Sequence, residues 1–478
     1  MSAGHRRCTG TKRSFIFARF HNLTSIRRKS DIVNVLKPLL CAAAIGIQMA
    51  TASAATPQPL LERALALSDA AEPDVIAWRR HLHQHPELAY AEVETAKYIA
   101  AALGKIPGVE VQTGIAKTGI KAVLRGGKPG PVVALRADMD ALPVEERNDL
   151  PFRSTAKALW RGQEVSVSHV CGHDTHVAML LGAAQALSAM REDLPGTVVF
   201  LFQPAEEIGP GAENPSGALA MVKAGVLDNP KVDVVLGQHI GAQAPKGSIS
   251  YRPGAMLASI DVFNIKLNGA GGHGAAPWAA NSPMLAAAEI ALGLQNIVSH
   301  RTNPTIDGGA TVVTVGMLQS GNRFNILPET AELSGTVRAL SAQNQKVAHE
   351  QIRMKAEHIA ASYGVKASVR IDTGGGYGVL VNDAPTTMAL VDALKAAAGK
   401  DKVAEILPSM GSEDFGAFGG TGVPVVFWIL NASPYPDRAG PTNHSPLFTV
   451  DESAMRIGVR ALTSATLAQM TRARTGTP

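Results

Sequence analysis

The chain has 478 residues, of which 46% are hydrophobic and 18% are charged. This length exceeds one ordinary domain, and the composition is typical of a globular rather than a disordered protein. The formal net charge is +5, but residues 1–55 hold nine Lys and Arg and one acid, which contributes +8 and leaves −3 for the remainder. A mildly acidic remainder gives no indication of a nucleic-acid partner.

Residues 1–55 are predicted to be an export signal. The basic stretch leads into an apolar run at 39–47 and then into the small residues at 52–54, a pattern typical of a cleavage site. The run is too short to cross a bilayer comfortably, so we expect no stable membrane span. Cleavage would leave Cys171 as a lone thiol, which indicates that this thiol is protected or ligated in an oxidising compartment. We expect an exported protein, periplasmic or secreted, and the alternative is an uncleaved interfacial anchor.

The next part of the chain alternates between strand-like and helix-like segments. An amphipathic helical pattern at 73–104 precedes short strands at 109–114 and 120–124. Three continuous apolar runs follow, and such runs are typical of strands that are buried in a largely parallel sheet. Their alternation with helical segments predicts an α/β domain. The apolar runs are at 131–136, 197–202 and 232–237, and the helical segments are at 175–190 and 217–224.

The region at 254–373 has a different rhythm. Its patterns predict strand, helix, strand, strand, helix and strand in this order, which is the order of a ferredoxin-like α+β domain. We therefore predict that a small domain is inserted into the α/β domain. The predicted segments are a signal peptide at 1–55, a catalytic domain in two parts at 56–253 and 374–478, and the inserted domain at 254–373.

Each of the three buried runs ends in side chains that can bind a metal or move a proton. Asp138 and Asp140 end the first run, Glu206 and Glu207 end the second, and His239 ends the third. In open α/β sheets, ligands bind beyond the carboxyl ends of the strands. We therefore expect these side chains to meet at one edge of the sheet.

Glu206 and Glu207 are expected to hold different roles. Adjacent side chains on extended backbone point apart, so one carboxylate can bind metal while the other holds a water, as metal-assisted hydrolysis requires. The alternative is a solvated acidic loop. Asp138 and Asp140 would share one face if the strand continues through them. Three roles are open for each: a metal ligand, a group that orients a ligating histidine, or a cap of the turn at the end of the strand.

Cys171 and His173 open the helical segment at 175–190. Thiolate and imidazole groups two residues apart on a loop can face one metal ion, and they suit zinc and similar ions. The alternative is a buried structural cysteine beside Asp174, which would cap the helix. The position among acidic strand ends favours ligation.

Seven motifs, taken together and in their order, resemble the dinuclear metallo-aminoacylase and carboxypeptidase family. The resemblance is to its branch of hippurate hydrolases, N-acyl-amino-acid amidohydrolases and auxin-conjugate hydrolases. The motifs are HPEL (85–88), RADMDALP (136–143), CGHDTH (171–176), QPAEE (203–207), GHGAAP (272–277), GSEDF (411–415) and NHSP (443–446).

The resemblance implies a pair of divalent metal ions, with manganese, zinc, nickel or cobalt as candidates, and Glu206 as the general base. His444 rests on the resemblance alone, since its local sequence does not single it out. Asp138 and Asp140 are expected to orient ligands. The implied ligands are Cys171, His173, Glu207, His239 and His444.

The resemblance also implies a role for the inserted domain as a lid and dimerisation domain. His273 would polarise the scissile carbonyl, often in the active site of a neighbouring subunit, and Asn325 would contact the substrate. We therefore expect a homodimer or a higher homo-oligomer.

These observations predict a metal-dependent amidohydrolase that cleaves the amide bond of N-acyl or N-aroyl amino acids. A dipeptidase or a deacylase of diamino acids would use the same site and is the alternative among enzymes. A non-catalytic binding protein for small molecules is the alternative of another class, and a plain metal buffer would need no ordered base. The intact pair of Glu206 and Glu207 favours an enzyme, and residues 208–210, which depart from the commoner pattern, leave the substrate open.

Overall fold

The computed structural model describes residues 58–472, and the predicted export signal lies outside this range. In this part of the chain the helices are α1 (Gln58–Ala70), α2 (Glu72–Gln84), α3 (Val93–Leu103), α4 (His173–Ser188), α5 (Gly217–Lys223), α6 (Pro283–His300), α7 (Ala342–Ser362), α8 (Ala384–Ala398), α9 (Gly416–Gly419) and α10 (Met455–Thr471).

The strands of the same residues are β1 (Val109–Ile115), β2 (Gly119–Arg125), β3 (Lys128–Asp138), β4 (Lys157–Trp160), β5 (Gln163–Ser166), β6 (Pro195–Gln203), β7 (Val234–Gly241), β8 (Ser248–Tyr251), β9 (Gly254–Leu257), β10 (Ser259–Asn268), β11 (Gly272–His273), β12 (Thr311–Ser320), β13 (Ile326–Leu327), β14 (Thr330–Ala339), β15 (Lys366–Asp372), β16 (Leu380–Asn382), β17 (Val403–Glu405) and β18 (Val425–Asn431).

The larger of the sheets has the strand order β1-β2-β6-β3-β7-β18-β8-β17. Its centre is parallel, because β3 pairs in parallel with both β6 and β7, and β7 pairs in parallel with β18. The carboxyl ends of these four strands therefore lie at one edge of the sheet. The antiparallel pairs β1–β2, β2–β6 and β8–β18 flank this centre.

Helices cover both faces of this sheet. Helices α4, α8 and α10 pack on one face, and α5 and α9 pack on the other. Successive residues of β3 enter the two cores in turn: Val133 and Leu135 lie in one core and Ala134 lies in the other. Because both faces are buried, the strand sequence is continuously apolar instead of alternating.

A small domain at 259–372 is built on a four-stranded antiparallel sheet with the order β12-β14-β10-β15. Helices α6 and α7 cover one face, so Phe263 and Ile265 are buried while the intervening Asn264 is partly exposed. The element order is that of a ferredoxin-like domain. The predicted fold class, a largely parallel α/β domain with an inserted ferredoxin-like α+β domain, is confirmed.

Some elements differ from the sequence prediction. The helical pattern at 73–104 forms two helices, because the chain leaves helical geometry at His85 before Pro86, as residues that precede proline commonly do. Helix α1 and the hairpin β4–β5 were absent from the prediction. None of the helices described between residues 58 and 472 has the length and apolar character needed to cross a membrane.

Candidate metal centre and active site

The donor atoms of the predicted ligands lie close together at the carboxyl edge of the large sheet. The Sγ of Cys171 is 3.4 Å from Nε2 of His239, and Oε1 of Glu207 is 2.9 Å from Nε2 of His444. The ligand atoms of Cys171, His173 and His239 all lie within 4.8 Å of one another, as do those of Cys171, Glu207 and His444. Two three-residue clusters therefore meet at Cys171.

Backbone carbonyls fix the orientation of two of the histidines. Nδ1 of His173 donates to the carbonyl of Asp140 at 2.8 Å, and Nδ1 of His239 donates to the carbonyl of Ile240 at 2.7 Å. Each ring is thereby turned so that its Nε2 faces the cluster, and imidazole binds a metal through such a nitrogen once it is unprotonated. The Nε2 of His173 is buried and has no hydrogen-bond partner in the described part of the chain, so this donor set fits a divalent cation.

The electrostatics also favour a cation. Burial disfavours the charged form of His173, but the carboxylates of Asp138 and Asp140 raise its pKa to about 10. Burial, with Glu207 and then Glu206, raises the pKa of the Cys171 thiol well above its ordinary value. A coordinated thiol loses its proton, so this position is suited to a thiolate ligand only together with a cation.

His176 is close to the same cluster but its ring nitrogens are both occupied. Nδ1 is 2.5 Å from Oδ1 of Asp138, and Nε2 accepts a hydrogen bond from the N–H of Ile240 at 2.8 Å. Because Nε2 accepts, Nδ1 carries the proton and donates to Asp138. His176 therefore holds Asp138 in place and has no lone pair to offer a metal.

Asp138 also belongs to a buried network around Arg136. The Arg136 guanidinium donates to Asp138 at 2.7 Å, to Glu413 at 2.9 Å and to Asp414 at 3.0 Å. Burial disfavours the charge of Asp138, but Arg136 and then His173 hold the pKa of this carboxyl well below its ordinary value. Asp138 is therefore an ionised group beside the cluster, with Oδ2 3.7 Å from Nε2 of His173.

Asp140 lies beyond the end of the strand, because β3 ends at Asp138. The strand therefore does not continue through both aspartates, and the condition under which they would share one face is not met. The carboxylate of Asp140 instead accepts hydrogen bonds from the N–H groups of Glu206, at 3.0 Å, and Glu207, at 2.9 Å. Asp140 thus fixes the backbone that carries both glutamates.

The two glutamates lie on a single turn of 3₁₀ helix, Glu206–Ile208, which follows Ala205 in a left-handed conformation with φ 50°. The expectation of extended backbone at this point is therefore wrong. The side chains still diverge: Glu207 contacts His444, whereas an oxygen of Glu206 comes within 4.0 Å of Nε2 of His173. A tight turn separates the side chains as effectively as a strand would.

Glu206 has the properties of a proton acceptor. It is buried, and burial followed by the negative charges of Glu413 and Glu207 raises its pKa well above the ordinary value. A carboxylate with a raised pKa takes up a proton readily at neutral pH, as a general base requires.

The loop that carries His444 is fixed by its neighbour Asn443. The Asn443 amide donates to the carbonyls of Cys171, at 2.8 Å, and Ile240, at 3.1 Å. The N–H of His444 donates to the carbonyl of Val170 at 2.8 Å. These bonds tie the loop to the backbone of two other ligand segments, and they give a structural reason for the NHSP motif.

A cavity of about 610 Å³ opens beside these residues. Sequence reasoning missed Arg338, which reaches this cavity from β14 of the small domain. Its guanidinium donates to the carbonyl of Met410 at 2.8 Å and to Oγ of Ser412 at 3.1 Å. Arg338 forms no ion pair with the described residues, and burial lowers its pKa. The cavity therefore holds a guanidinium that can still receive an anion.

His273 and Asn325 lie together, but away from the lining of this cavity. They lie at the two-stranded antiparallel sheet that β11 forms with β13 in the small domain, where His273 pairs with Ile326 and the N–H of Gly274 donates to the carbonyl of Asn325 at 2.9 Å. His273 is exposed. Its Nδ1 accepts from the N–H of Ala275 at 3.0 Å, so the proton of the neutral ring lies on Nε2.

Comparison with known proteins places this site in a family. Residues 134–468 match the family described as Peptidase family M20/M25/M40. The match covers more than half of the chain, so the protein belongs to this family and is a metal-dependent hydrolase. The predicted family and enzyme class are confirmed.

Individual relatives agree with this assignment. Thermostable carboxypeptidase 1 of Saccharolobus solfataricus is 37% identical over 388 residues, which is 81% of this chain and 93% of that protein. The IAA-amino acid hydrolase ILR1-like 2 of Arabidopsis thaliana is 36% identical over 398 residues, 82% of this chain and 85% of that protein. The solved structure of the Bacillus subtilis YXEP protein, described as a dinuclear metal-binding peptidase of the M20 family, is 32% identical with a TM-score of 0.69, covering 84% of this chain and 99% of that chain.

Proposed function

We propose that this protein hydrolyses the amide bond of N-acyl or N-aroyl amino acids. The observation that carries the proposal is one cavity that combines three features: a cluster of metal donors around Cys171, the buried carboxylate of Glu206, and the guanidinium of Arg338, which forms no ion pair with the described residues. The donors supply the metal site, Glu206 supplies proton transfer, and Arg338 supplies recognition of an anionic substrate.

The proposed cofactor is a pair of divalent metal ions, in agreement with the dinuclear description of the YXEP protein. Cys171, His173, Glu207, His239 and His444 would hold the pair. Bound divalent ions polarise a carbonyl and make water acidic enough to act at neutral pH. Thiolate and imidazole ligands suit zinc, nickel and cobalt, and manganese remains a candidate.

Glu206 is proposed to move the proton in this reaction. Its raised pKa lets it take a proton from the attacking water and then deliver that proton to the leaving amine. Its backbone is fixed by Asp140, which limits the reorganisation of this segment when the charge develops. Glu207, on the same turn, lies 2.9 Å from His444. In this proposal Glu206 therefore transfers the proton and Glu207 binds metal.

Arg338 is the basis for the proposed substrate class. A guanidinium recognises a carboxylate through two parallel hydrogen bonds, and an N-acyl amino acid offers its α-carboxylate next to the scissile amide. The name of the Arabidopsis relative describes a hydrolase of an amino-acid conjugate. Dipeptides carry the same carboxylate. Because one relative is named a carboxypeptidase, dipeptides are the alternative substrate.

The β11–β13 sheet of the small domain supports a proposed homodimer. His273 and Asn325 lie beside the strongly exposed Trp278 and Phe324, whose exposures are 83% and 97%. Large exposed apolar side chains mark contact surfaces, and β12 is an edge strand of the four-stranded sheet. We propose that a second copy covers this face and that its His273 donates Nε2–H to the developing oxyanion in the cavity.

We also propose that the segment 1–55 directs export of the protein.

The proposed function is tested by metal analysis coupled to a substrate panel. Purified protein is stripped with a chelator, reloaded with manganese, zinc, nickel or cobalt, and assayed on hippurate, N-acetyl amino acids, dipeptides and acylated diamino acids. We expect two metal equivalents per chain and the highest kcat/KM on an N-acyl or N-aroyl amino acid. Hydrolysis of dipeptides alone, or full activity without metal, would contradict the proposal.

A further inference from the structure

Two carboxylates hold one side of the turn that carries Glu206. Asp140 accepts hydrogen bonds from the N–H groups of Glu206 and Glu207, at 3.0 Å and 2.9 Å. Glu92 accepts from the N–H of Ala205 at 2.8 Å. These bonds fix where the turn begins, but they leave its far end without a side-chain contact.

Tyr377 closes the turn from the other side. Its hydroxyl donates to the backbone carbonyl of Glu206 and accepts from the N–H of Gly209 at 3.1 Å. The side chain is buried and lines the cavity. Burial and then the charge of Glu206 raise the pKa of Tyr377 well above its ordinary value, so the hydroxyl keeps the proton that it donates. One hydroxyl therefore joins both ends of the turn.

Tyr377 also lies where the small domain joins the large one. It follows the glycine segment 374–376, in which Gly375 has φ 55° and Gly376 has φ 141°. Its backbone carbonyl accepts from the N–H of Ile260 at 3.2 Å, and Ile260 is the second residue of β10. The two chain segments that connect the domains are thus hydrogen-bonded to each other at Tyr377.

We propose that Tyr377 is a positioning residue that couples the orientation of the small domain to the alignment of Glu206. A rotation of the small domain at the glycine segment displaces the backbone of Tyr377, and the hydroxyl transmits this displacement to the carbonyl of Glu206. Arg338 travels with the small domain, so the group that receives the substrate and the group that moves the proton are linked. This inference rests on the proposed function.

The first test is Tyr377→Phe, which removes the hydroxyl and keeps the ring. We expect kcat to fall by about 10- to 100-fold, because small misplacements of a reacting group cost this much, while KM stays within about 3-fold and metal content is unchanged. Tyr251→Phe is the matched control, since Tyr251 is buried in β8 of the large sheet and does not line the cavity. It should leave kcat unchanged.

The second test is a double-mutant cycle with Gly375→Ala. A Cβ at Gly375 would meet no atom closer than 3.7 Å, so this substitution introduces no clash with a neighbour but strains the backbone at a positive-φ position of the glycine segment. We expect Gly375→Ala to lower kcat in the wild-type background and to have a clearly smaller effect in the Tyr377→Phe background. Equal effects in both backgrounds would show that Tyr377 does not transmit domain orientation, and would overturn the coupling.

Three outcomes of the first test would overturn the positioning role: wild-type kcat in Tyr377→Phe, a loss confined to KM, or a loss that follows metal content. The Glu206→Gln variant separates this inference from the proposed function. An inactive Glu206→Gln with a normal Tyr377→Phe refutes the inference alone, whereas an active, metal-loaded Glu206→Gln refutes the function on which it rests.

Discussion

The two regions that carry the candidate site residues are built in opposite ways. At the edge of the large sheet, His173 and Glu206 are buried, and hydrogen bonds from the surrounding backbone and side chains fix their positions. At the β11–β13 sheet of the small domain, His273 is exposed, whereas Oδ1 of Asn325 is a buried atom with no hydrogen-bond partner among the described residues. The donor cluster at the sheet edge is complete within the chain, whereas the proposed role of His273 requires a second copy.

This difference agrees with the roles proposed for the two regions. Metal binding and proton transfer depend on shifted pKa values and a fixed arrangement of charges, which a buried strand edge provides. Groups that meet the substrate last must stay accessible until it has entered. The comparison predicts that substitutions at the sheet edge abolish chemistry, whereas substitutions on the small domain weaken recognition or stabilisation of charge.

The largest effect is expected for Glu206→Gln. Loss of a general base costs about 10²- to 10⁴-fold in rate, and because Glu207 is a separate carboxylate, the metal content should not change. Rapid-mixing or endpoint assays on metal-loaded protein measure the rate, and atomic absorption measures the metal. Glu213→Gln, on the exposed loop after the turn, is the control and should be fully active; retained turnover in Glu206→Gln would remove this residue from the mechanism.

The next largest effect is expected for His273→Ala. Removal of one donor to a developing oxyanion costs about 10²- to 10³-fold in kcat, and since His273 lies outside the ligand cluster, metal binding and unfolding should stay as in the wild type. His300→Ala changes another exposed histidine of the small domain and should have no effect. Equal kcat values for the two variants would mean that His273 takes no part in the reaction.

A smaller and more selective effect is expected for Arg338→Met. A hydrogen bond to a charged group contributes about 1.5–3 kcal/mol, so kcat/KM should fall by about 10- to 100-fold for substrates with an α-carboxylate. The same substrates with a carboxamide in place of the carboxylate should lose little. Arg370→Met, which alters an exposed Arg paired with Asp372, is the control, and a uniform loss on both substrate types would argue against carboxylate recognition.

The smallest effect concerns pH and stability near the sheet edge. His83 is buried, which lowers its pKa, but its bonds to Asp174 and Glu146 produce a net raised pKa. Its stabilising contribution is therefore complete below the ordinary pKa of about 6.5 and is lost as pH rises through the raised value. Urea unfolding of metal-loaded protein should show that His83→Gln destabilises more at pH 6 than at pH 9. A difference that is constant with pH would contradict this assignment.

The sequence predicted the structure correctly where the pattern of a single segment was enough to identify an element. The runs that became β3, β6 and β7 predicted a parallel sheet, and the polar residues after them predicted its functional edge, because strand direction places those ends together. The order of strands and helices at 254–373 predicted the ferredoxin-like domain. The local pattern was enough to predict these elements, since each of them is buried as its pattern of apolar residues indicates.

The missed residues are those that reach the site from a distance. Arg338 alternates with buried residues on an ordinary strand, and Tyr377 follows a glycine segment that indicated only a connection between domains. Asn443 and Arg136 act through hydrogen bonds to backbone or acids far along the chain. No spacing in the sequence reports such contacts, because they arise only when segments far apart in the chain pack together. The geometry of the Glu206 turn was also missed, since a left-handed Ala205 has no local signature.

The most direct test of the proposed two-part site is a complementation assay. His273→Ala and Glu206→Gln proteins, each inactive, are mixed, dissociated and reassociated in equal amounts. If His273 acts in the cavity of a second copy, each mixed dimer holds one intact site, and activity should return to about one quarter of the wild-type value. A mixture no more active than its two parents, although mixed dimers have formed, would contradict the claim that the site is completed by another chain.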